Sequence, residues 1–250
     1  LLDTDNNQNS EFDRPITHKL YGGDWENRLK QEILLGIGGM RALRRMCITP
    51  DVFHCNEGHA AFIGIERMLY LIEEEKLSYA EAIEVVRSSS IFTTHTPVPA
   101  GHDAFPEEML APYLSFLPAR LKISWEQLIR LGGLKPNSPA DKFSMSMLAA
   151  NLSQEINGVS MLHGDVSRHI FKRLYNGYMS SELHIGYVTN GVHFPTWAST
   201  EIVQLIENEE MPSAAEAIGT PAWKDRIEVI DDKQLWHTKC GLRSKLMGVV

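Results

Sequence analysis

The sequence is poor in cysteine: Cys47, Cys55 and Cys240 are all it has in 250 residues. So few, and an odd number, exclude a disulfide scaffold and suit a reducing, intracellular setting; a cytoplasmic location is expected. No run of about 20 apolar residues occurs, so no segment is expected to span a bilayer. Positive charge is scarce, with Lys+Arg 24 against Asp+Glu 32 and a formal net charge of −8. That balance argues against nucleic acid or an anionic membrane as a partner. There is no G-x-S-x-G elbow, no H-E-x-x-H pair, no internal repeat and no low-complexity tract. An initial Met and a signal pattern are missing too. The chain opens Leu1-Leu2-Asp3-Thr4-Asp5 and stops on Leu246-Met247-Gly248-Val249-Val250, and a fragment of a longer polypeptide is the expectation.

What is present reads as a folded α/β chain. Hydrophobic residues make up 43% and charged residues 22%, ordinary globular usage. Three apolar, β-prone runs end abruptly in polar residues: 52–55, 90–94 and 185–188. A helix is expected over 60–75 and a second from Ser78, where Ser78 and Glu81 have capping-box spacing. Strand, helix, strand is the grammar of a parallel sheet. Leu29, Ile33, Leu34, Ile37 and Met40 form a helical stripe across 24–46. Gly36, Gly38 and Gly39 interrupt it and predict a close backbone approach. Residues 104–140, with four prolines, read as a helical insertion with loops, and 142–175 as helix broken near Asn157-Gly158. A short helix is expected over 199–208, a linker over 209–222, and a last helix from Asp231-Asp232. The domain expectation is 1–208 as one partial domain and 209–250 as a linker and helix leading onward.

In open parallel sheets, ligands bind beyond the carboxyl ends of the strands. The three strand endings carry Asn56, Glu57 and His59, then His95 and Thr96, then Thr189 and Asn190. Amides, hydroxyls, imidazoles and one carboxylate suit sugar hydroxyls better than phosphate. Tyr21, Trp25 and Trp197 offer faces for a sugar ring. Asparagines close to Gly58 and Gly191 also suit ordinary turns, so each residue alone has a structural reading of equal weight. His54, His59, His95, His102 and His163 are candidate metal ligands, but their spacing lacks a metal motif and no metal is expected. Cys55 falls within a strand and is expected in the core. Gly36-Ile37-Gly38-Gly39 follows a helix rather than a strand, which excludes a nucleotide loop.

These motifs carry a resemblance. Tyr21-Gly22-Gly23-Asp24 followed by Arg28-Leu29-Lys30-Gln31-Glu32 resembles the active-site gate loop of the α-glucan (glycogen/maltodextrin) phosphorylases. Asn56-Glu57-Gly58-His59 resembles their Asn-Asp/Glu-x-His segment. The stretch from Thr94-His95-Thr96-Pro97 through His102-Asp103 is similar to the short bacterial and archaeal branch. Asn157-Gly158-Val159 with His163 resembles the Asn-Gly-Val helix start, and Thr189-Asn190-Gly191 the Thr-Asn-Gly segment. Five matches in order cover almost the whole chain. Trp25 departs from the long branch, which has Asn after the gate-loop Asp.

The resemblance implies a GT-B glycosyltransferase, of which this chain would be part of the first Rossmann-like domain. It implies reversible phosphorolysis of a terminal α-1,4-linked glucose to α-glucose 1-phosphate. His95 and Asp24 would be catalytic. Asn190, Thr96, Asn56, Glu57 and His59 would bind substrate. Pyridoxal phosphate would serve the full-length parent; its lysine segment has no counterpart here, so no cofactor and no catalysis are expected of this chain alone. The implied partners are α-1,4-glucan with phosphate or glucose 1-phosphate, and a homo-oligomer is also expected. Rival readings are a GT-B glucan synthase, whose Lys-x-Gly-Gly donor loop is not found, and a non-catalytic glucan-binding or assembly module.

Overall fold

Four short strands make the central sheet: β1 (Phe53–Asn56), β2 (Ser90–Thr94), β5 (Glu155–Gly158) and β6 (Ile185–Tyr187). They lie in the order β1-β2-β5-β6, and every neighbouring pair is parallel. The computed structural model describes residues 2–20, 22–98, 101–133, 135, 141–207 and 221–249. Tyr21 and most of the 209–222 linker therefore lie outside the described residues. The chain divides into two compact units, Leu1–Asn190 and Gly191–Val250.

The sheet belongs to the first unit. Register aligns Cys55, Phe92, Ile156 and Ile185 in one row across all four strands. All four are buried, which puts Cys55 in the core. One step along, Asn56, Thr93, Asn157 and Gly186 form a polar row. The parallel direction thus brings every strand's polar ending to one edge of the sheet.

Between β1 and β2 run α3 (Phe62–Glu73) and α4 (Tyr79–Ser88). Ser78 caps α4 in a complete capping box: its hydroxyl accepts from Glu81 N, and Glu81 Oε2 accepts from Ser78 N at 2.8 Å. α1 (Trp25–Ile33) passes through a π-helical turn, Leu34–Gly38, into α2 (Gly39–Arg45). Gly36 is the close approach: a Cβ there would sit 2.6 Å from Phe62 Cβ. Charge inside this packing is paired, since Glu66 of α3, almost fully buried, holds both Arg41 and Arg44.

The described residues of 104–140 contain a strand, β3 (Ala104–Phe105), and three helices, α5 (Glu107–Leu114), α6 (Leu117–Leu121) and α7 (Trp125–Leu131). Their Leu110, Leu114, Leu117, Leu121 and Leu128 enter the same apolar core as the sheet. β3 pairs antiparallel with β4 (Phe143–Ser144).

The expectation of helix over 142–175, broken near Asn157-Gly158, is corrected in part: the break is there, but it is a strand. β4, α8 (Met145–Asn151), β5, and α9 (Met161–Ile170) share that stretch. Glu155-Ile156-Asn157-Gly158 has one apolar residue and poor strand propensity. It becomes a strand because β2 and β6 supply backbone partners on both sides.

The second unit holds α10 (Phe194–Trp197), α11 (Thr200–Ile206) and the helices Pro221–Glu228 and Asp232–Met247. Asp231 caps the last one, accepting from Gln234 N at 3.0 Å. Within this unit Lys245 pairs with Glu201.

Candidate active site

The strand endings of β1 and β2 meet through side chains. His95 Nε2 lies 2.6 Å from Asn56 Oδ1. Since an amide oxygen only accepts, Nε2 is the donor of this bond. The Glu57 carboxylate accepts from the His95 backbone N–H and from Thr96 Oγ1, the latter at 3.1 Å. Glu57 is held at φ +70° and ψ 174°, a positive-φ conformation that costs a residue with a Cβ about 1–3 kcal/mol. Its two acceptor bonds offset that strain and fix the chain where β2 ends. His95 and Asn56 remain exposed, so the groups beside them stay open to a ligand.

Gly58 follows because nothing larger fits. A Cβ there would stand 2.6 Å from Ser146 N and 2.8 Å from Met145 C, so the 3₁₀ turn Gly58–Ala60 lies directly on the start of α8. His59 on that turn is half-buried. Burial, then the Arg28 cation, lowers its pKa, which leaves it neutral at pH 7.

Deeper in, the polar row carries a relay. His54 Nε2 is 2.7 Å from Thr93 Oγ1, and Thr93 donates to Asn157 Oδ1 at 3.0 Å. Past β5, the Ser160 hydroxyl caps α9 by accepting from His163 N. His163 Nδ1 in turn accepts from Val159 N at 3.2 Å. Asn190 is tied to the same edge by its backbone, Asn190 N donating to Val159 O at 3.2 Å. Of the histidines that invited a metal reading, His54, His95, His102 and His163 have protein partners, His102 on Ser146 Oγ at 2.7 Å. Among the described residues no group of three or more His, Cys, Asp or Glu is placed to hold a metal ion.

Asp24 is the N-cap of α1, its carboxylate accepting from Asn27 N at 2.8 Å. It is exposed, at the end of the 22–24 turn. The structure therefore joins Asn56, Glu57, His95 and Thr96 directly, adds His59 through a shared cavity, and holds Asp24 and Asn190 by local backbone and capping bonds of their own. Of the aromatics, Trp25 packs edge-to-face on Phe105 at 6.1 Å, and Trp197 is exposed in the second unit.

Two cavities adjoin the cluster. One of about 270 Å³ is lined by Glu57, His59, Thr96, His102, Asp103 and Ser146, with Arg28 at its border. The other, about 580 Å³, has leucine walls (Leu2, Leu20, Leu34, Leu35) and a polar floor of Arg28, Glu32 and His59. Arg28 bridges the two and donates twice to Asp103 Oδ2, at 3.2 and 2.7 Å. Sequence reasoning passed over Arg28, Glu32, Asp103 and Ser146 as site residues. The i,i+4 spacing of Arg28 and Glu32 was the available signal; the approach of Asp103, 75 residues away, was not.

Residues 41–232 match the family model for carbohydrate phosphorylase. The chain belongs to the carbohydrate phosphorylase family. It is 43% identical to a glycogen phosphorylase of Mycobacterium tuberculosis over 99% of its own length, and 42% identical to a maltodextrin phosphorylase of Thermococcus litoralis over 100%. It is 32% identical to a glycogen phosphorylase of Aquifex aeolicus over 95%. The chain spans 29% of the length of the first two relatives and 34% of the third.

Pyridoxal phosphate, which the phosphorylase resemblance implies, asks for a lysine to carry its aldehyde and cations to hold its phosphate. The strand-end cluster does not fit it. Asn56, Glu57, His95 and Thr96 supply one carboxylate and no lysine, and the nearby Arg28 is committed to Asp103. The donor set suits sugar hydroxyls.

Proposed function

We propose that this chain is the glucose-binding part of an α-glucan phosphorylase that cleaves a terminal α-1,4-linked glucose with phosphate to give α-glucose 1-phosphate. The observation that carries the reading is the cluster at the ends of β1 and β2, in a chain of the phosphorylase family. His95, its imidazole set by Asn56 and its backbone set by Glu57, meets the glucose and stabilises the charge that develops on the sugar carbon. Asp24, at the head of α1, faces glucose and phosphate from the opposing loop. Asn190, Thr96, Asn56, Glu57 and His59 hold hydroxyls; a polar pocket of this kind discriminates strongly against analogues lacking one.

The parallel order β1-β2-β5-β6, with helices between the strands, supports assignment of 1–208 to a Rossmann-like domain of a GT-B enzyme, with 209–250 leading toward a second domain. Pyridoxal phosphate and the groups that bind phosphate belong to that second domain, and supply the proton exchange with substrate phosphate when the cofactor is bound. The 250-residue chain alone is inactive on this reading. Three free cysteines agree with a cytoplasmic enzyme, and no described helix is long and apolar enough to cross a membrane.

The test is production of glucose 1-phosphate from maltodextrin and phosphate by the natural gene product, with and without His95→Ala. Loss of one such stabilising contact is expected to cost about 10²–10³-fold in kcat. A gene product that binds glucan but never releases glucose 1-phosphate, even when supplied with pyridoxal phosphate, sinks the enzyme reading in favour of a binding module.

A further inference from the structure

The proposed chemistry leaves Glu32 unexplained. It lies near the end of α1 with 1% of its surface exposed, and among the described residues no donor other than the Arg28 guanidinium reaches its carboxyl oxygens. Arg28, one turn earlier, stands 3.0 Å from Glu32 Oε1. Its Nε and Nη2, however, are aimed at Asp103 Oδ2. Arg28 thus stands against both carboxyls and brings Asp103 beside Glu32. Two carboxyls therefore share one guanidinium, Glu32 fully buried and Asp103 partly so. With both ionised, the group would carry a net negative charge there, which burial opposes strongly.

Among the described residues no cation other than Arg28 is paired with either carboxyl. His59, from the turn after β1, faces the same cavities and is uncharged at neutral pH, because burial and Arg28 lower its pKa. Glu57 adds negative charge and is occupied by His95 and Thr96. Lys19 and Gln31 line the leucine-walled cavity, but Lys19 is exposed and forms no ion pair with Glu32 or Asp103, and Gln31 is spent on the carbonyls of Ile16 and Lys19. A proton is the remaining way to neutralise the pair.

We propose that Glu32 is a positioning residue that keeps its proton at neutral pH and donates it in a hydrogen bond to Asp103, locking α1 to the loop that follows β2. Burial first, then Asp103, pushes Glu32 up to about 9 against the pull of Arg28. Burial would raise Asp103 as well, but the bonds from Glu32 and Arg28 outweigh it and hold that carboxyl below its usual range. The proton accordingly resides on Glu32.

The lock joins two arms that carry candidate chemistry. α1 begins at its cap Asp24, and the loop held by Asp103 begins at His95. This consequence for catalysis rests on the proposed function; the lock itself does not. It is also sensitive to alkali. The folded state holds a proton that the unfolded chain loses near pH 4.5, so the stabilisation is present below that pH and is lost as pH rises toward 9.

The experiment uses the 250-residue chain and no substrate. The Glu32 carboxyl carbon is titrated by NMR, and infrared difference spectra of wild type against Glu32→Gln are taken at pH 7. The expected results are a midpoint near 9 and an acid carbonyl band that the variant lacks. Amide exchange at His95 and Thr96, corrected for intrinsic rates, should quicken in wild type as pH passes 9. In Glu32→Gln, whose amide still donates but cannot ionise, it should hold, whereas Glu32→Ala should quicken it at every pH. A Glu32 midpoint in the ordinary carboxylate range overturns the proposal, with no variant needed. So does a Glu32→Gln chain as loose as Glu32→Ala. Neither result touches the assay for glucose 1-phosphate, so the two readings fail separately.

Discussion

Helix α3 and the helix Asp232–Met247 are both regular, yet the protein uses them in opposite ways. α3 is twelve residues long and buries Phe62, Ile65, Met68, Leu69 and Ile72, with even Glu66 and Arg67 taken in and paired. The later helix is longer, sixteen residues, and buries none; Trp236, Leu246 and Met247 stand exposed. Its local signals are as good as those of many core helices, with a capping Asp231 and acidic first turn. Helix formation is thus a local matter that a cap and propensity can supply, while fixing a helix in a fold takes an apolar face with something to bury it against.

The sharpest test of that contrast is a pair of truncations. Phe62→Ala removes a fully buried ring stacked on Phe143 at 6.3 Å, and Gly36 rests on its Cβ. A loss of about 3–5 kcal/mol in urea unfolding is expected. Trp236→Ala, exposed, should stay within about 0.5 kcal/mol. Equal costs would erase the distinction between the two helices.

Next in size is Gly58→Ala. The added methyl meets the backbone of Ser146 and Met145, which cannot swing aside like a side chain, and overpacking of this kind costs about 1–3 kcal/mol. Because the clash shifts the Glu57–His59 turn, the His95 imidazole resonance should move as well; an unmoved resonance would uncouple α8 from the site.

The smallest effect compares the caps. Ser78→Ala should lower the unfolding free energy of the sheet-bearing unit by about 1 kcal/mol, since α4 is packed into it. Asp231→Ala breaks an equivalent bond, but should be seen only as faster amide exchange in the first turn of its own helix. A drop in global stability from Asp231→Ala would mean that this helix is held by more than its own backbone.

The legible parts of the fold were those with a local cause. The strand endings at Asn56, His95 and Asn190 were visible because apolar runs stop there, and parallel pairing then carries them to one edge. The close approach at Gly36 was visible because glycine has little other use inside a helix. The 155–158 strand was not, because its stability comes from two flanking ladders and not from its own residues. Within the site, residue identities could be read, but contacts such as His95 with Asn56, 39 positions apart, could not.

The sequence by itself determined the elements and the chemistry they carry: caps at Ser78 and Asp231, polar endings on apolar strands, a phosphorylase-like series of motifs. Those depend on groups within a few residues of one another, where spacing alone sets the geometry. Only the tertiary structure decided which endings touch, that Glu57 bends to φ +70° to hold His95 and Thr96, and that Asp103 comes to share Arg28 with Glu32. Such outcomes depend on packing across long loops, and on the cost of leaving charge and backbone strain uncompensated away from water, which no local pattern records.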